Sequence, residues 1–426
     1  SNIRHLLNTK IRTPARSVSY FWLKNSNAQE RAAASFSSSN CNDVTLNTNF
    51  PADVRRHEEG GLVLFDSLSQ SYKQVGTDKV KGIAWYTCGP TVYDSGHLGH
   101  ARTYVCLDFL HRAILHLYEQ QPLHQRSQKP IFIMNVTDID DKILQRAREK
   151  NILPKLLAQM YEQEFFQDLQ ALNVLPPSIV TRVSEHVEHA IIPYIQRILK
   201  NNLAYVLTDA ASESSSGDVY FDVTAFERSR GGLNKYGKLA PPSAADPLFF
   251  EREQNDRGKT ELMQKRDPRD FCLWKQRKPE EDMYWNSPWG QGRPGWHIEC
   301  SAMIDSTMLQ FPNHKIFFHA GGVDLKFPHH TNEIAQAEAY RTDHNNHEPT
   351  KQEEWIPHWI HTGHLHIHGA KMSKSTKNFI TIRKYLQSSQ TLSSTLSSPS
   401  DDFRLWCLGL SGHYTAPATY SETRIL

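Results

Sequence analysis

Between an apolar run of strand length, Gly82–Tyr86, and a segment carrying Val105, Phe109, Leu110, Ile114 and Leu117 lies a connection rich in glycine and proline. Spacings of three and four in the second segment put its apolar residues on one helix face. A strand that passes sharply into a helix is half of a parallel β-α-β unit, so this stretch restricts the chain to α/β architectures more than any other. From Tyr86 to Arg102 it reads Y-T-C-G-P-T-V-Y-D-S-G-H-L-G-H-A-R. Gly96 and Gly99 at a helix start let a phosphate approach backbone N–H groups, where the helix dipole favours negative charge. His97 and His100 stand three apart and can face that phosphate. Taken alone, H-x-x-H reads as an incidental pair in a Gly-Pro loop; the rest of the chain reverses that reading.

The same pattern returns twice. Ile131–Val136 is an apolar run that predicts a buried parallel strand, ending in T-D-I-D-D before another helical segment. Ile316–His319 predicts a strand leading through Ala320-Gly321-Gly322-Val323-Asp324 to a helix starting near Pro328. Ligands then gather at the carboxyl ends of these strands. Leu62–Phe65 predicts a short strand, Trp355–His368 a strand-like run, and Lys371-Met372-Ser373-Lys374-Ser375 a cationic loop. Between the halves, Ala158–Leu207 is mostly helical in pattern, broken at Pro176-Pro177; Asp218–Val223 reads as a strand, and 228–268 has little periodicity. Ser388–Ser400 reads as a solvated linker and Asp402–Leu410 as the beginning of a helix.

The 426 residues allow two or three domains, and 38% hydrophobic residues can bury a core. A net charge of +2 gives no global polyanion signal, so any nucleic-acid surface is local. Six cysteines without dense spacing point to a reducing compartment, some of them serving a metal, and no apolar run is long enough to span a membrane. Residues 1–45 stand apart. Arg4, Lys10, Arg12, Arg16, Lys24 and Arg31 face a single acid, Glu30, through residue 42, among many serines. That is the composition of an organelle transit peptide, expected for the mitochondrial matrix or a plastid.

Two sites of chemistry follow from residue type. Cys88, Cys300, and His329 with Glu333 at i and i+4 make a tetrahedral zinc set. Spacing leaves Cys106 and Cys272 as alternative thiolates and His330 as an alternative to His329. Lys371 and Lys374, on a loop after Gly369, can neutralise charge on a departing pyrophosphate.

The pair H-L-G-H and K-M-S-K-S, about 270 residues apart, resembles the two ATP motifs of class I aminoacyl-tRNA synthetases. The longer strings Y-T-C-G-P-T-V-Y-D-S-G-H-L-G-H-A-R, N-V-T-D-I-D-D-K-I, R-D-P-R-D-F-C-L-W-K, G-R-P-G-W-H-I-E-C-S-A-M and F-P-H-H-T-N-E-I-A-Q resemble the cysteinyl-tRNA synthetase family, over about Leu62 to Ser421. The resemblance implies an α/β, Rossmann-like parallel-sheet catalytic domain with an inserted subdomain, followed by the start of an α-helical C-terminal region. It implies that Cys88, Cys300, His329 and Glu333 hold one Zn2+ per chain, which takes the substrate thiolate as ligand. It implies that Gly89, Thr137, Trp296 and His319 surround the cysteine. Pro90, Thr91, His97, Gly99, His100, Gly322, Asp324 and Lys374 would bind ATP, with His97, His100, Lys371 and Lys374 catalytic and Mg2+ arriving with ATP. The implied partners are ATP, L-cysteine and tRNA(Cys), with no membrane, and a monomer is expected.

The expected organisation is a leader over 1–45, catalytic halves over 60–175 and 291–370, a connective subdomain over 176–290, and the K-M-S-K-S loop with the start of a helical region over 371–426. The anticodon-reading domain of the family is expected to be absent or truncated. Three departures are visible: that short C-terminal region, Thr331 where the family has an acid, and Ala320 in a usual run of glycines, where a methyl is expected to crowd the nucleotide slightly. A cysteine:amino-sugar ligase of the same superfamily shares the zinc site and ATP motifs; the leader and the T-V-Y-D string favour the synthetase. A non-catalytic homologue acting in binding would be expected to lose ATP-motif residues, which are all present here.

Overall fold

The computed structural model of the chain describes residues 62–75, 82–124, 126–208, 216–245, 265–342, 354–367, 369–372, 378–390 and 398–421. The leader, and Ser373, Lys374 and Ser375 of the cationic loop, lie outside the described residues.

A hairpin of β1 (Val63–Asp66) and β2 (Ser71–Gln74) precedes β3 (Gly82–Thr87). Then come α1 (Leu98–Gln120), β4 (Gln128–Val136), α2 (Asp141–Lys150), α3 (Pro154–Ala171), β5 (Ile179–Arg182) and α4 (Ile192–Lys200). A second set follows: β6 (Ala204–Leu207), β7 (Asp218–Phe221), β8 (Phe271–Gln276), β9 (Trp285–Ser287) and β10 (Gly290–Pro294). The chain continues through α5 (Trp296–Met308), β11 (Lys315–Gly322), α6 (Thr331–Arg341), β12 (His358–Thr362), β13 (Leu365–Ile367) and β14 (Ala370–Lys371). It ends in α7 (Ile382–Gln390), α8 (Pro399–Leu405) and β15 (Ala418–Tyr420).

The principal sheet is parallel throughout, in the order β12-β11-β3-β4-β5. Every residue of the central β3 is buried, as a strand covered on both faces requires. Its period of two sorts them. Ile83 and Trp85 pack with Leu107 and Ile114 of α1, whereas Ala84 and Tyr86 pack with Cys300 and Ile304 of α5 and Ile334 of α6. The second sheet is antiparallel, β6-β7-β8-β10-β9, and Val219, Phe221 and Leu273 from it meet Ile195 and Ile198 of α4 and Met303 of α5. Among the described residues no helix is long and apolar enough to cross a membrane.

Three segments differ from their periodicity. β5 and β6 fall inside the run that predicts helix; each is only four residues long, and each is fixed by a partner strand rather than by local pattern. The run Trp355–His368 is two strands in different sheets, divided at Gly363, where a Cβ would lie 2.1 Å from the Ala416 carbonyl oxygen. The buried Arg102 guanidinium donates to the carbonyls of Gly363 (2.6 Å) and Ala416 (2.9 Å), tying α1 to this division. Beyond the expected helix at α8, β15 returns to pair in parallel with β13.

Asp108 of α1 is fully buried and accepts from Arg112 Nε (2.8 Å), the Leu175 amide (2.8 Å) and Arg404 Nη2 of α8 (2.6 Å). Asp108→Ala should lower unfolding free energy by about 3 kcal/mol in urea titrations, because it strands a mostly buried guanidinium. A loss under 1 kcal/mol would show that α8 does not depend on this pair.

Candidate active site and metal centre

The carboxyl ends of β3, β4, β11 and β12 open on one cavity of about 730 Å3. Cys88, one residue past β3, is fixed by its amide donating to the Ala320 carbonyl (2.9 Å) and its carbonyl accepting from Tyr104 Oη (3.1 Å). Cys300 comes from α5, His329 from the helical turn leading into α6, and Glu333 from the first turn of α6. One ligand atom from each of these four lies within 4.8 Å of every other, and all four residues are buried. Cys88 Sγ is 3.7 Å from Cys300 Sγ, and His329 Nε2 is 3.0 Å from Glu333 Oε1.

Burial would raise the Glu333 carboxyl, but His319 and His329 hold it down at about 2. Burial would lower His329, yet Glu333 and Cys300 bring it up to about 10. Burial also raises both thiols. At Cys300 the bond from Cys88 and the His329 charge outweigh it, to about 6, while Cys88 goes well above its ordinary value. A thiolate, a carboxylate, an imidazolium and a thiol therefore share one pocket, and a divalent cation would displace the remaining protons.

A second group, Cys88, His319, His330 and Glu333, meets the same distance criterion. Within it His319 Nε2 lies 2.8 Å from Glu333 Oε2 and His330 Nε2 lies 3.3 Å from Cys88 Sγ, while the other ring nitrogen of His330, Nδ1, lies 2.8 Å from His361 Nε2. The adjacent His329 and His330 both turn Nε2 towards Glu333 Oε1, at 3.0 and 3.9 Å. Cys272 donates to the Trp274 carbonyl (3.1 Å), and Cys106 sits in the apolar cluster that α1 helps to form; among the described residues neither joins a metal group.

At the other end of the same connection, His97 is the N-cap of α1. Its Nδ1 accepts from the His100 amide (3.3 Å), and His100 Nδ1 accepts from the His97 amide (3.4 Å), with the rings stacked at 3.8 Å. Pro90, Thr91, His97, Gly99 and His100 line the cavity, and Gly322, Asp324 and Lys371 face them. Lys371 Nζ is 3.9 Å from Asp324 Oδ2. The segment after the cationic loop is stitched to the H-L-G-H turn: the Leu98 amide donates to Ile380 O (3.0 Å) and the Ile382 amide to Gly96 O (3.1 Å). Asn378 Nδ2 donates to Lys371 O at 3.1 Å, joining residues on either side of that loop.

Of the residues expected around an amino acid, Gly89, Thr137 and Trp296 line the cavity with Cys88 and His329. The Trp296 ring stacks on His329 at 4.3 Å. Thr137 Oγ1 donates to the buried Glu299 (3.1 Å). Gly89 is required: a Cβ there would fall 1.7 Å from the Asn135 carbonyl oxygen. His319 is fully buried, outside the cavity lining, against Glu333. Ala320 corrects an expectation, since its methyl packs with Trp85 and Phe318 in the core rather than on the cavity wall. Sequence reading passed over Asn135, whose Oδ1 accepts from the Gly89 amide (2.8 Å), and His297, whose Nδ1 is 3.2 Å from His329 Nδ1. Both lie inside the quoted strings, which was the available signal.

Residues 74–425 match the family described as tRNA synthetases class I (C) catalytic domain. The chain is 45% identical over 310 residues to the cytoplasmic cysteine–tRNA ligase of Dictyostelium discoideum, covering 72% of this chain and 42% of that protein. It is 41% identical over 364 residues to a probable mitochondrial cysteine–tRNA ligase of Xenopus tropicalis, covering 85% and 54% respectively. The chain thus spans about half the length of these relatives. A solved Mycobacterium tuberculosis methionyl-tRNA synthetase in complex with methionyl-adenylate shares the fold, with a TM-score of 0.53 at 16% identity over 80% of this chain and 67% of that one.

Proposed function

The chain belongs to the class I (C) tRNA synthetase catalytic-domain family, and from that premise we propose that it activates L-cysteine with ATP and transfers it to tRNA(Cys). The observation that carries this reading is the buried Cys88–Cys300–His329–Glu333 quartet, two of whose members line the same cavity as His97 and His100. The quartet fits zinc: bonds of about 2.3 Å at tetrahedral angles put two sulfurs roughly 3.8 Å apart, and the Sγ atoms are 3.7 Å apart. Zinc held there would supply a soft Lewis acid that prefers the substrate thiolate to a hydroxyl.

The chain's own residues do the rest. Gly89, Thr137 and Trp296 shape the amino-acid pocket, and His319 orients Glu333 from behind. The substrate carboxylate attacks the α-phosphate in line, forming the acyl–phosphate bond as the bond to pyrophosphate breaks. His97 and His100, at the positive end of α1, stabilise charge at that phosphorus. Lys371 and Lys374 hold the pyrophosphate, with Mg2+ accompanying ATP, and Gly322, Asp324, Pro90, Thr91 and Gly99 frame the nucleotide. We place the catalytic halves over 60–175 and 291–370 and the connective subdomain over 176–290, with β5 near its start paired into the parallel sheet. We also assign residues 1–45 to import into the mitochondrial matrix.

Cysteine-dependent ATP–pyrophosphate exchange should exceed serine-dependent exchange at least about a hundredfold, since discrimination rests on one metal bond that a hydroxyl makes poorly. Comparable rates would refute thiolate selection. Charging of tRNA(Cys), measured beside ligation of cysteine to an amino-sugar, decides the acceptor.

A further inference from the structure

Tyr86 of β3 and Cys88, one residue past the strand, stand two apart and pack in one cluster with Cys300 of α5. Cys88 lines the cavity, whereas Tyr86 is fully buried and lies outside its lining. The tyrosine therefore stands beneath the quartet rather than beside a substrate. Among the described residues its Oη meets no partner at full hydrogen-bonding geometry, and the group it comes nearest to pairing with is Cys300. Resting on the zinc reading above, we propose that Tyr86 is a positioning residue for the metal, its hydroxyl donating to the Cys300 thiolate.

A buried hydroxyl without a partner is costly, and phenylalanine would fill the same space without that cost. The hydroxyl is thus placed for a strong acceptor, and a thiolate is one. A phenol is a donor at neutral pH, and burial together with Cys300, Cys88 and Glu333 pushes its ionisation higher still. Across the β3–β11 pairing the neighbour of Tyr86 is His319, whose ring meets the tyrosine ring edge-on at 5.3 Å. His319 Nε2 in turn lies 2.8 Å from Glu333 Oε2. The two side chains form one layer under the quartet, His319 against its carboxylate and Tyr86 against its thiolate. A hydrogen bond to a ligand sulfur keeps it deprotonated and fixes its direction, as groups behind metal ligands do.

The test measures zinc affinity by chelator competition on the whole chain and on Tyr86→Phe. Tyr220→Phe, which removes a buried hydroxyl from the antiparallel sheet, serves as the control. Tyr86→Phe should bind zinc about tenfold more weakly, the usual cost of removing a group behind a metal ligand, and Tyr220→Phe should stay within about twofold of the unsubstituted chain. Cobalt(II) in place of zinc reads the bond itself. Without the donor, the thiolate-to-metal charge-transfer band should move to longer wavelength, because the sulfur lone pair is no longer stabilised. Equal zinc affinity in the intact protein and Tyr86→Phe overturns the proposal. Weaker binding with an unmoved band overturns it too, since that variant would have loosened packing alone. An intact protein that binds neither zinc nor cobalt would instead overturn the reading of the quartet, and this proposal with it.

Discussion

Cys300→Ser protein is expected to be purified with less than about a tenth of the zinc of the unsubstituted chain, which should carry about one ion per chain. Both thiols of the quartet are buried, and their separation already suits a shared cation. A serine hydroxyl at this position stays protonated and offers a hard, weak donor, so the site loses one of its two soft ligands. Elemental analysis reads the result directly, and cysteine-dependent exchange should fall with it. Undiminished zinc would sink the assignment and point to the other group, in which His319 and His330 replace Cys300 and His329.

The second large effect belongs to the other end of the same connection. His100→Ala should slow cysteine-dependent exchange by about two to three orders of magnitude, the usual consequence of deleting a contact to developing charge. Zinc content should not change. The ring also closes the reciprocal cap of α1, and losing a cap costs only about 1 kcal/mol of stability. A melting temperature lowered by a few degrees would therefore accompany the kinetic loss without explaining it. A rate within tenfold of the unsubstituted protein would remove His100 from the chemistry.

Much of this architecture is legible in the sequence because its strongest signals are local. The six buried residues of β3 and the apolar run in β4 announce a parallel sheet before any partner is known. Glu333 follows His329 by one helical turn, so their shared face could be read from spacing alone. The rest depends on pairing across long sequence separations. β5, β6 and β15 are three or four residues long and carry no period; each becomes a strand only beside β4, β7 or β13. The choice between His329 and His330 is of the same kind. Adjacent histidines look alike in sequence, and only the fold shows that the second meets His361, 31 positions away, through Nδ1. His319 looks like a pocket residue from its string, yet the strand carries it beneath the pocket, against Glu333.

The two sides of the cavity are built to different depths. Cys88 follows a strand whose every residue is buried between two layers of helices. Lys371 sits in a sheet of three strands, β14-β13-β15, with only two or three residues in each. Amide hydrogen exchange should separate them, with β3 protected close to the limit set by global unfolding and β13 and β15 exchanging through cheaper, local openings. On the proposed function, product release would proceed by brief opening on the Lys371 side while the Cys88 side stays closed. The half of the cavity built on β3 would then persist from one turnover to the next, and only the half built on the short sheet would be taken apart and rebuilt each time.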